Sequence, residues 1–176
     1  VITATDEDGN ESVSREVQFT VTNGIAPDVA ITAPLGEVSV DALITGEQYE
    51  ILTAGSTDFT TLGAANSDVG TVFTYNEAPG IGDGTSRPVY ERGDIVAIDI
   101  DASDSDGSIS EVKVFNGSTE LGTANIVSNG KYRYNYSASA TGRINLNARA
   151  RDDLGNSKRV DVVNSVWVCD FELNRV

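Results

Sequence analysis

Apolar and polar residues alternate along most of this chain, and turn-forming residues separate the alternating segments. The clearest case is the segment 94–101. There, Val96, Ile98 and Ile100 fall on one face of an extended strand, and polar or small residues fall on the other. No sustained apolar period of 3.6 residues appears, so the pattern predicts strands rather than helices.

Further alternating segments follow in a regular order, at 28–34, 109–114, 121–126, 131–136, 144–150 and 160–168. Turns rich in Gly, Asn and Asp separate them, and strands with turns about every 8–12 residues are typical of an immunoglobulin-like sandwich. We therefore predict an all-β fold built on an immunoglobulin-like β-sandwich.

A short internal repeat indicates that this sandwich belongs to a tandem array. The segment 4–10 (ATDEDGN) returns 146 residues later as 150–156 (ARDDLGN), and alternating valines follow each copy. We predict that strands at 1–5 and 13–22 form a hairpin that closes a preceding module.

The repeat spacing also predicts an insertion. Removing residues 41–93 from the displacement leaves close to the ~100 residues of one sandwich. The predicted units are a hairpin of the preceding module at 1–24, a sandwich at 25–40 plus 94–170, an inserted small β-rich module at 41–93, and a tail at 171–176.

The residue inventory narrows the chemistry. The 176 residues include no histidine, no methionine and one cysteine, Cys169. A lone cysteine cannot form an internal disulfide or a multi-cysteine zinc site, and histidine-based hydrolases are excluded. We predict that the chain is not an enzyme. The missing methionine favours a natural polypeptide that continues upstream.

The charge excludes two classes of partner. The formal net charge is -15 and the sequence pI is about 4.1, so the chain repels nucleic acid and anionic lipid. No apolar run approaches the ~20 residues that span a bilayer. We predict no nucleic-acid partner and no membrane insertion.

The predicted sandwich resembles a known family of modules. The matching segments, in order, are 26–34, 102–109, 112–117, 121–122 and 150–156. In these segments the chain resembles the bacterial immunoglobulin-like (Big-type) modules found in tandem on secreted and surface proteins. That resemblance implies neighbouring immunoglobulin-like modules in the same chain and an extracellular or cell-surface location.

The insertion has a resemblance of its own, carried by the segments 46–51, 55–60, 62–64, 70–74 and 82–85. It looks like a small repeat common in structural proteins of marine bacteriophages, which occurs in virion fibres and appendages. This resemblance implies a virion surface as the second possible location. The chain departs from that repeat at Pro79 and at the segment 86–88, where a plainer glycine-threonine run is expected.

Clustered carboxylates are the strongest candidates for a cofactor site. Four lie at one strand end and its turn, and two lie on a later turn that the sandwich topology could bring to the same end: Asp99, Asp101, Asp104, Asp106, Asp152 and Asp153. Calcium prefers six to eight such oxygens. Tight turns use the same residues for their own backbone hydrogen bonds, so calcium binding and turn formation are both open.

Aromatic residues of the insertion suggest a contact surface. A segment of ~50 residues buries little, so its rings form a small core, dock on the sandwich, or stay exposed. Exposed rings beside carboxylates would contact sugars, and the candidates are Tyr49, Asp58, Phe59, Phe73 and Tyr75. In contrast, Tyr132, Tyr134 and Tyr136 alternate along one strand and are predicted to face the core.

These observations favour a non-catalytic structural or adhesive segment of a multi-domain extracellular or virion fibre protein, which spaces its neighbours and presents a contact surface. One alternative is a module that binds a cell-surface glycan or host receptor through the 41–93 insertion. Another is an accessory module of a secreted enzyme. The chemistry requires no cofactor, with calcium as the one candidate.

Overall fold

The fold was analysed in a computed structural model, which describes residues 5–9, 24–160 and 164–170. Its strands are β1 (Asp28–Ala33), β2 (Val38–Ser39), β3 (Gln48–Thr53), β4 (Val72–Thr74), β5 (Thr85–Glu91), β6 (Ile95–Ser103), β7 (Ile109–Asn116), β8 (Thr119–Thr123), β9 (Asn125–Ser128), β10 (Lys131–Ser137), β11 (Gly142–Asp152), β12 (Ser157–Arg159) and β13 (Asn164–Cys169). Short 3-10 turns occupy Val40–Ala42 and Phe59–Leu62. The chain is thus all-β, as predicted.

Two sheets form the sandwich. The first has four strands in the order β1-β6-β10-β9. The second contains the run β13-β11-β7-β8, in which β12 extends the pairing with β11. These orders match the ABED and GFC sheets of an immunoglobulin-like sandwich, with β8 added at one edge. The predicted fold class is confirmed.

Period-2 alternation places the sandwich core between the two sheets. Val96, Ile98 and Ile100 of β6 are 0–1% exposed, and Leu146 and Val168 from the facing sheet are fully buried. Burying a side chain of this size stabilises a fold by roughly 1.5–3 kcal/mol. The alternation that predicts the strands therefore also supplies the energy that holds the sheets together.

One predicted strand is in fact two. The segment 121–126 was predicted as a single strand, but β8 pairs with β7 in one sheet and β9 pairs with β10 in the other. The chain crosses at buried Ala124, whose amide donates to the carbonyl of Val112 (2.8 Å). Ala124 thus contributes to the sandwich core at the point where the chain passes from one sheet to the other.

Between β1 and β6, strands β2 to β5 surround a second, smaller core. Its buried members are Val38, Val40, Tyr49, Ile51, Phe59, Leu62, Ala64 and Phe73. β5 carries this unit into the sandwich because its first half pairs with β3 and its last three residues pair in parallel with β13. One nine-stranded sheet therefore runs through both parts of the chain.

Some predicted elements lie outside the described residues. Of the hairpin predicted at 1–24, the structure describes residues 5–9 and Gly24, and the Gly9 amide donates to the Asp6 carbonyl in the turn (3.0 Å). The strands predicted at 1–5 and 13–22 fall almost wholly outside, as does the predicted tail at 171–176.

Candidate functional site

Two of the six predicted calcium ligands lie on a different surface from the others. Asp99 and Asp101 project from the outer face of β6, opposite Arg133 and Lys131 of β10. The Arg133 guanidinium donates to both Asp99 oxygens (2.6 and 2.8 Å), and Lys131 pairs with Asp101. The Arg133 hydrogen bonds hold the pKa of Asp99 below its ordinary value. Cross-strand pairing engages both carboxylates, so the prediction that they join the turn aspartates is corrected.

The other four meet at one end of the sandwich. Asp104 and Asp106 lie in the turn between β6 and β7, and Asp152 and Asp153 lie at the turn after β11. Asp153 Oδ1 accepts the Ser108 amide hydrogen (3.0 Å), which joins the two turns. The predicted convergence of these two turns is therefore present in the fold.

Asp152 takes part in turn formation. It is 1% exposed, and its two oxygens accept hydrogens from the Asn156 backbone amide (2.7 Å) and side-chain amide (2.9 Å). Burial raises the pKa of Asp152, but the hydrogen bonds from Asn156, Gly155 and Leu154 together outweigh it, and the net shift is downward. This carboxylate has its acceptors occupied within its own turn.

Asp104 differs from its neighbours. Both of its carboxylate oxygens are buried, each with less than 1 Å² of exposed area, and neither has a hydrogen-bond partner of acceptable geometry. Nearby Asp106 accepts the Ile25 amide hydrogen through Oδ2 (2.9 Å). As placed, no group of three acidic or cysteine side chains in the described parts of the chain is arranged to hold a metal ion.

The predicted contact aromatics form a core instead of an exposed platform. Tyr49, Phe59 and Phe73 are 3%, 0% and 4% exposed. The Phe59 and Phe73 rings meet edge to face with centroids 5.6 Å apart, and Tyr49 packs against Phe73 at 6.1 Å. Of the three arrangements open from sequence, the insertion thus adopts the small core, and the three rings do not form an exposed platform.

The other two predicted contact residues have local roles. The hydroxyl of partly buried Tyr75 donates to the Ala78 carbonyl (2.6 Å). Exposed Asp58 caps the 3-10 turn that begins at Phe59 by accepting the amide and hydroxyl hydrogens of Thr60 (3.0 and 2.6 Å). These hydrogen bonds lower the pKa of Asp58.

The tyrosine row faces inward, as its alternation predicts. Tyr132, Tyr134 and Tyr136 pack against the sandwich core. The Tyr134 hydroxyl donates to the Leu121 carbonyl (2.7 Å), so the ring is partly buried while its hydroxyl has a hydrogen-bond partner.

A cleft that the sequence analysis missed lies where the insertion meets the sandwich. It encloses about 550 Å³, and its lining includes apolar Leu35, Ile44 and Ile95 with the carboxylates of Glu47 and Asp94. The tyrosines Tyr49 and Tyr90 also line it. Burial, followed by the negative charge of Glu47, raises the pKa of Tyr90 to about 12.

No sequence motif marks this cleft. Its residues come from β1, the insertion, β5 and the start of β6, which are far apart in the chain. They meet where β5, which pairs with both β3 of the insertion and β13 of the sandwich, brings the two parts of the chain together. The sequence signal that could have indicated the cleft was the apolar residues near the ends of the predicted insertion. Two of them, Ile44 and Ile95, are 64% and 60% exposed in the fold.

Within the described residues, no helix is long and apolar enough to cross a membrane. The single cysteine, Cys169, is partly buried at the end of β13, and burial raises the pKa of its thiol. A raised pKa lowers the thiolate fraction and hence the nucleophilicity of this residue near neutral pH.

No protein-family model matches the sequence, and no curated protein matches it either. A solved structure of the fibronectin(III)-like modules of Clostridium thermocellum CbhA is similar, with 27% identity. The match covers 46% of this chain and 82% of that chain, at a TM-score of 0.36. The resemblances to Big-type modules and to a marine phage repeat stay predictions.

Proposed function

We propose that this chain is a non-catalytic structural segment of a multi-domain extracellular or virion fibre protein, in which the sandwich acts as a spacer and carries the insertion as a contact surface. The single observation that carries this proposal is the parallel pairing of β5 with β13. This pairing joins the insertion to the sandwich through one continuous sheet. Backbone hydrogen bonds across that sheet fix the orientation of the insertion surface relative to the sandwich.

Side chains reinforce this junction. Arg87 of β5 pairs with Glu50 of β3 (2.6 Å), and its guanidinium carbon lies 5.0 Å from the centroid of the Trp167 ring on β13. The two charged groups are about four-fifths buried, at 21% and 18% exposure. One arginine therefore connects three adjacent strands, two from the insertion and one from the sandwich.

The end of the sandwich supports a place in a tandem array. Gly24 and Ile25 precede β1, and the Ile25 amide bonds to Asp106 in the turn between β6 and β7. A Cβ at Gly24 would lie 2.6 Å from Leu154 and 3.2 Å from the Asn156 amide nitrogen. The incoming linker is thus packed on the sandwich end, as expected where one module is set against the next.

The insertion presents apolar side chains suited to contact. Val69 is 67% exposed and Ile81 is 78% exposed. Covering exposed apolar side chains with a partner removes them from water, which makes association more favourable. A cell-surface or virion partner that meets these side chains repeatedly along a fibre would bind through many weak contacts.

A panel of glycans and bacterial surfaces tests the proposal, with the immobilised 176-residue chain as the probe. We expect weak surface binding that falls at least about tenfold when Val69→Ser and Ile81→Ser are combined. Ile126→Ser is the matched control, because Ile126 is equally exposed (68%) but lies on β9 of the sandwich. Equal loss in both variants, or hydrolysis of a panel component, would contradict the proposal.

The cleft favours a second candidate, recognition of a glycan. Its apolar wall could cover one sugar face while Glu47 and Asp94 accept hydroxyl hydrogens. Binding that is lost in Ile44→Ser and Glu47→Gln, but retained in the Val69 and Ile81 variant, would identify the cleft as the recognition site.

A further inference from the structure

Three separate segments meet at one end of the sandwich. They are the turn 104–107 between β6 and β7, the turn 153–156 after β11, and the linker at Gly24 and Ile25. Hydrogen bonds connect them, from the Ile25 amide to Asp106 Oδ2 (2.9 Å) and from the Ser108 amide to Asp153 Oδ1 (3.0 Å). The site therefore lies where a preceding module would connect to this one.

Asp104 is the unsatisfied group at this end. Its oxygens are both buried without a hydrogen-bond partner, and a carboxylate removed from water needs either a partner or a proton. The adjacent Asp106 carboxyl group adds like charge beside it, and the Asp106 amide does not reach acceptable hydrogen-bond geometry. Both the burial and the like charge would be relieved by a bound cation.

A second carboxylate approaches Asp104 across Gly107. The position of a Cβ at Gly107 lies 2.7 Å from Asp104 Oδ2 and 2.5 Å from Asp153 Oδ1. The two oxygens are therefore no farther apart than opposite ligands of one calcium ion, which bind at about 2.3–2.6 Å. Glycine permits this approach, because a side chain there would collide with both carboxylates.

Among the residues that the structure describes, no cationic side chain forms an ion pair with this group of carboxylates. The ion pairs of the described residues engage Asp28, Asp99, Asp101 and other acids, but none includes Asp104, Asp106 or Asp153. This contrast with Asp99 and Asp101, each paired across strands, separates the six sequence candidates into two groups. Only the turn group has uncompensated negative charge.

We propose that Asp104, Asp106 and Asp153 bind one calcium ion, and that the ion fixes the linker at Ile25 to this end of the sandwich. The donors are all oxygens on turns, which suits calcium better than zinc or the more rigid octahedral demands of magnesium. Asp106 and Asp153 are exposed and each uses one carboxylate oxygen for a backbone amide, so the other oxygen can face the ion, with water completing the shell. The ion site shares the packed linker with the spacer proposal, but the observation that carries the spacer proposal is the pairing of β5 with β13.

Calorimetric titration of the EDTA-treated, dialysed 176-residue chain with calcium chloride tests the site. We expect one ion per chain with a Kd of about 10⁻⁴ to 10⁻³ M, the range of extracellular calcium modules, and weaker binding of magnesium. Asp104→Asn should weaken calcium binding at least about tenfold.

Thermal unfolding separates a metal site from a damaged fold. In EDTA, Asp104→Asn should melt no lower than the unsubstituted chain, because the amide removes an unpaired buried charge. With calcium, the unsubstituted chain should gain stability and Asp104→Asn should not. Asp68→Asn is the control, since it removes one exposed charge on the insertion and should keep the full calcium effect.

Two outcomes would overturn the metal site. One is a calcium effect on stability that sodium chloride reproduces at equal ionic strength, which would indicate charge screening alone. The other is unchanged calcium binding in Asp104→Asn. The linker part of the proposal fails separately if calcium binds but amide hydrogen exchange at Ile25 is not slowed. None of these outcomes affects the surface-panel test of the spacer proposal.

Discussion

At the scale of single residues, buried polar groups without a hydrogen-bond partner mark positions where a substitution can increase stability. Ser86 on β5 is 0% exposed, and its hydroxyl has no hydrogen-bond partner. Ser110 on β7 is the opposite case, since its hydroxyl reaches the carbonyls of Arg151 (3.0 Å) and Asp152 (2.7 Å). A serine hydroxyl is therefore unfavourable for stability on β5 and favourable on β7, two strands of the same sheet.

Substituting these serines by alanine should show that contrast. We expect Ser86→Ala to raise the free energy of unfolding by about 1 kcal/mol, because it removes a buried, unpaired hydroxyl. Ser110→Ala should lower it by about 0.5–1.5 kcal/mol, because a formed hydrogen bond is lost. Urea unfolding followed by circular dichroism measures both, and a destabilised Ser86→Ala would show that this hydroxyl does have a partner.

At the scale of elements, β5 decides whether the insertion is independent of the sandwich. Its residues Thr85, Ser86, Arg87 and Pro88 pair with β3, and Val89 pairs with Trp167 of β13. A strand that pairs with both parts couples their unfolding. If the insertion unfolds and β5 detaches, β13 of the sandwich loses its neighbour and becomes an exposed sheet edge. We therefore expect a single cooperative unfolding unit.

Leu62→Ala tests this coupling from the insertion side. Leu62 is 0% exposed in the small core, so its truncation should cost about 2–5 kcal/mol. Trp167 is the only tryptophan and lies on the sandwich side of the junction. Its fluorescence transition in urea should shift to lower concentration, together with the circular dichroism transition.

Ile81→Ala provides the control for that experiment. Ile81 is 78% exposed on the same insertion, so its truncation should change the unfolding free energy by less than about 0.5 kcal/mol. If Leu62→Ala instead produced an early circular dichroism transition while the Trp167 transition stayed in place, the two cores would be independent.

At the scale of the whole molecule, the titratable inventory sets the response to pH. The chain has no histidine, so few of its side chains titrate between about pH 5 and 8. Hydrogen bonds lower the pKa of Asp58, Asp83, Asp99 and Asp152, whereas the pKa of Asp104 is raised. Lowered carboxyl pKa values outnumber the raised one.

The direction of the pH effect follows from these shifts. A carboxyl whose folded pKa is lowered stabilises the fold above its unfolded pKa of about 3.9, and that stabilisation is lost as pH falls through the folded pKa. Asp104 acts oppositely, because protonation of the folded chain relieves its unpaired charge. We expect a flat melting temperature from about pH 8 to 5 and a decline below about pH 4.

Thermal unfolding in metal-free buffers of constant ionic strength measures this profile. Asp99→Asn should decline less in acid than the unsubstituted chain, because it has one lowered carboxyl fewer. A marked loss of stability between pH 7 and pH 5 would contradict the prediction, since the carboxyl groups with lowered pKa values stay ionised there.

Much of the sandwich could be predicted because its determinants are local in sequence. Alternation at Val96, Ile98 and Ile100 specifies one buried face wherever the strand pairs. The turn at Asn116 and Gly117 likewise follows from the left-handed conformation that glycine adopts there, with φ of 58°. The chain crossing at Ala124 was missed because periodicity does not distinguish two short strands in different sheets from one longer strand.

The candidate site was predicted only in part. Aspartate spacing identified both acidic turns, but it could not show that Arg133 neutralises Asp99 or that Asn156 occupies the Asp152 oxygens. The aromatic content of the insertion likewise identified Phe59 and Phe73, but it could not show whether their rings are buried or exposed. For Asp99 and for the two rings, the outcome depended on a partner distant in sequence, whereas Asn156 lies four residues from Asp152 in the same turn.

By itself, the sequence determined the all-β class, the sandwich and the inward tyrosine row, because strand formation and the choice of buried face follow from period-2 alternation and turn residues. Only the tertiary structure decided that β5 pairs with β13, that a cleft forms beside it, and that Asp104 is left without a partner. The physical reason is that pairing between distant strands and the solvation of a carboxylate are set by neighbours in space, which a pattern along the chain does not specify.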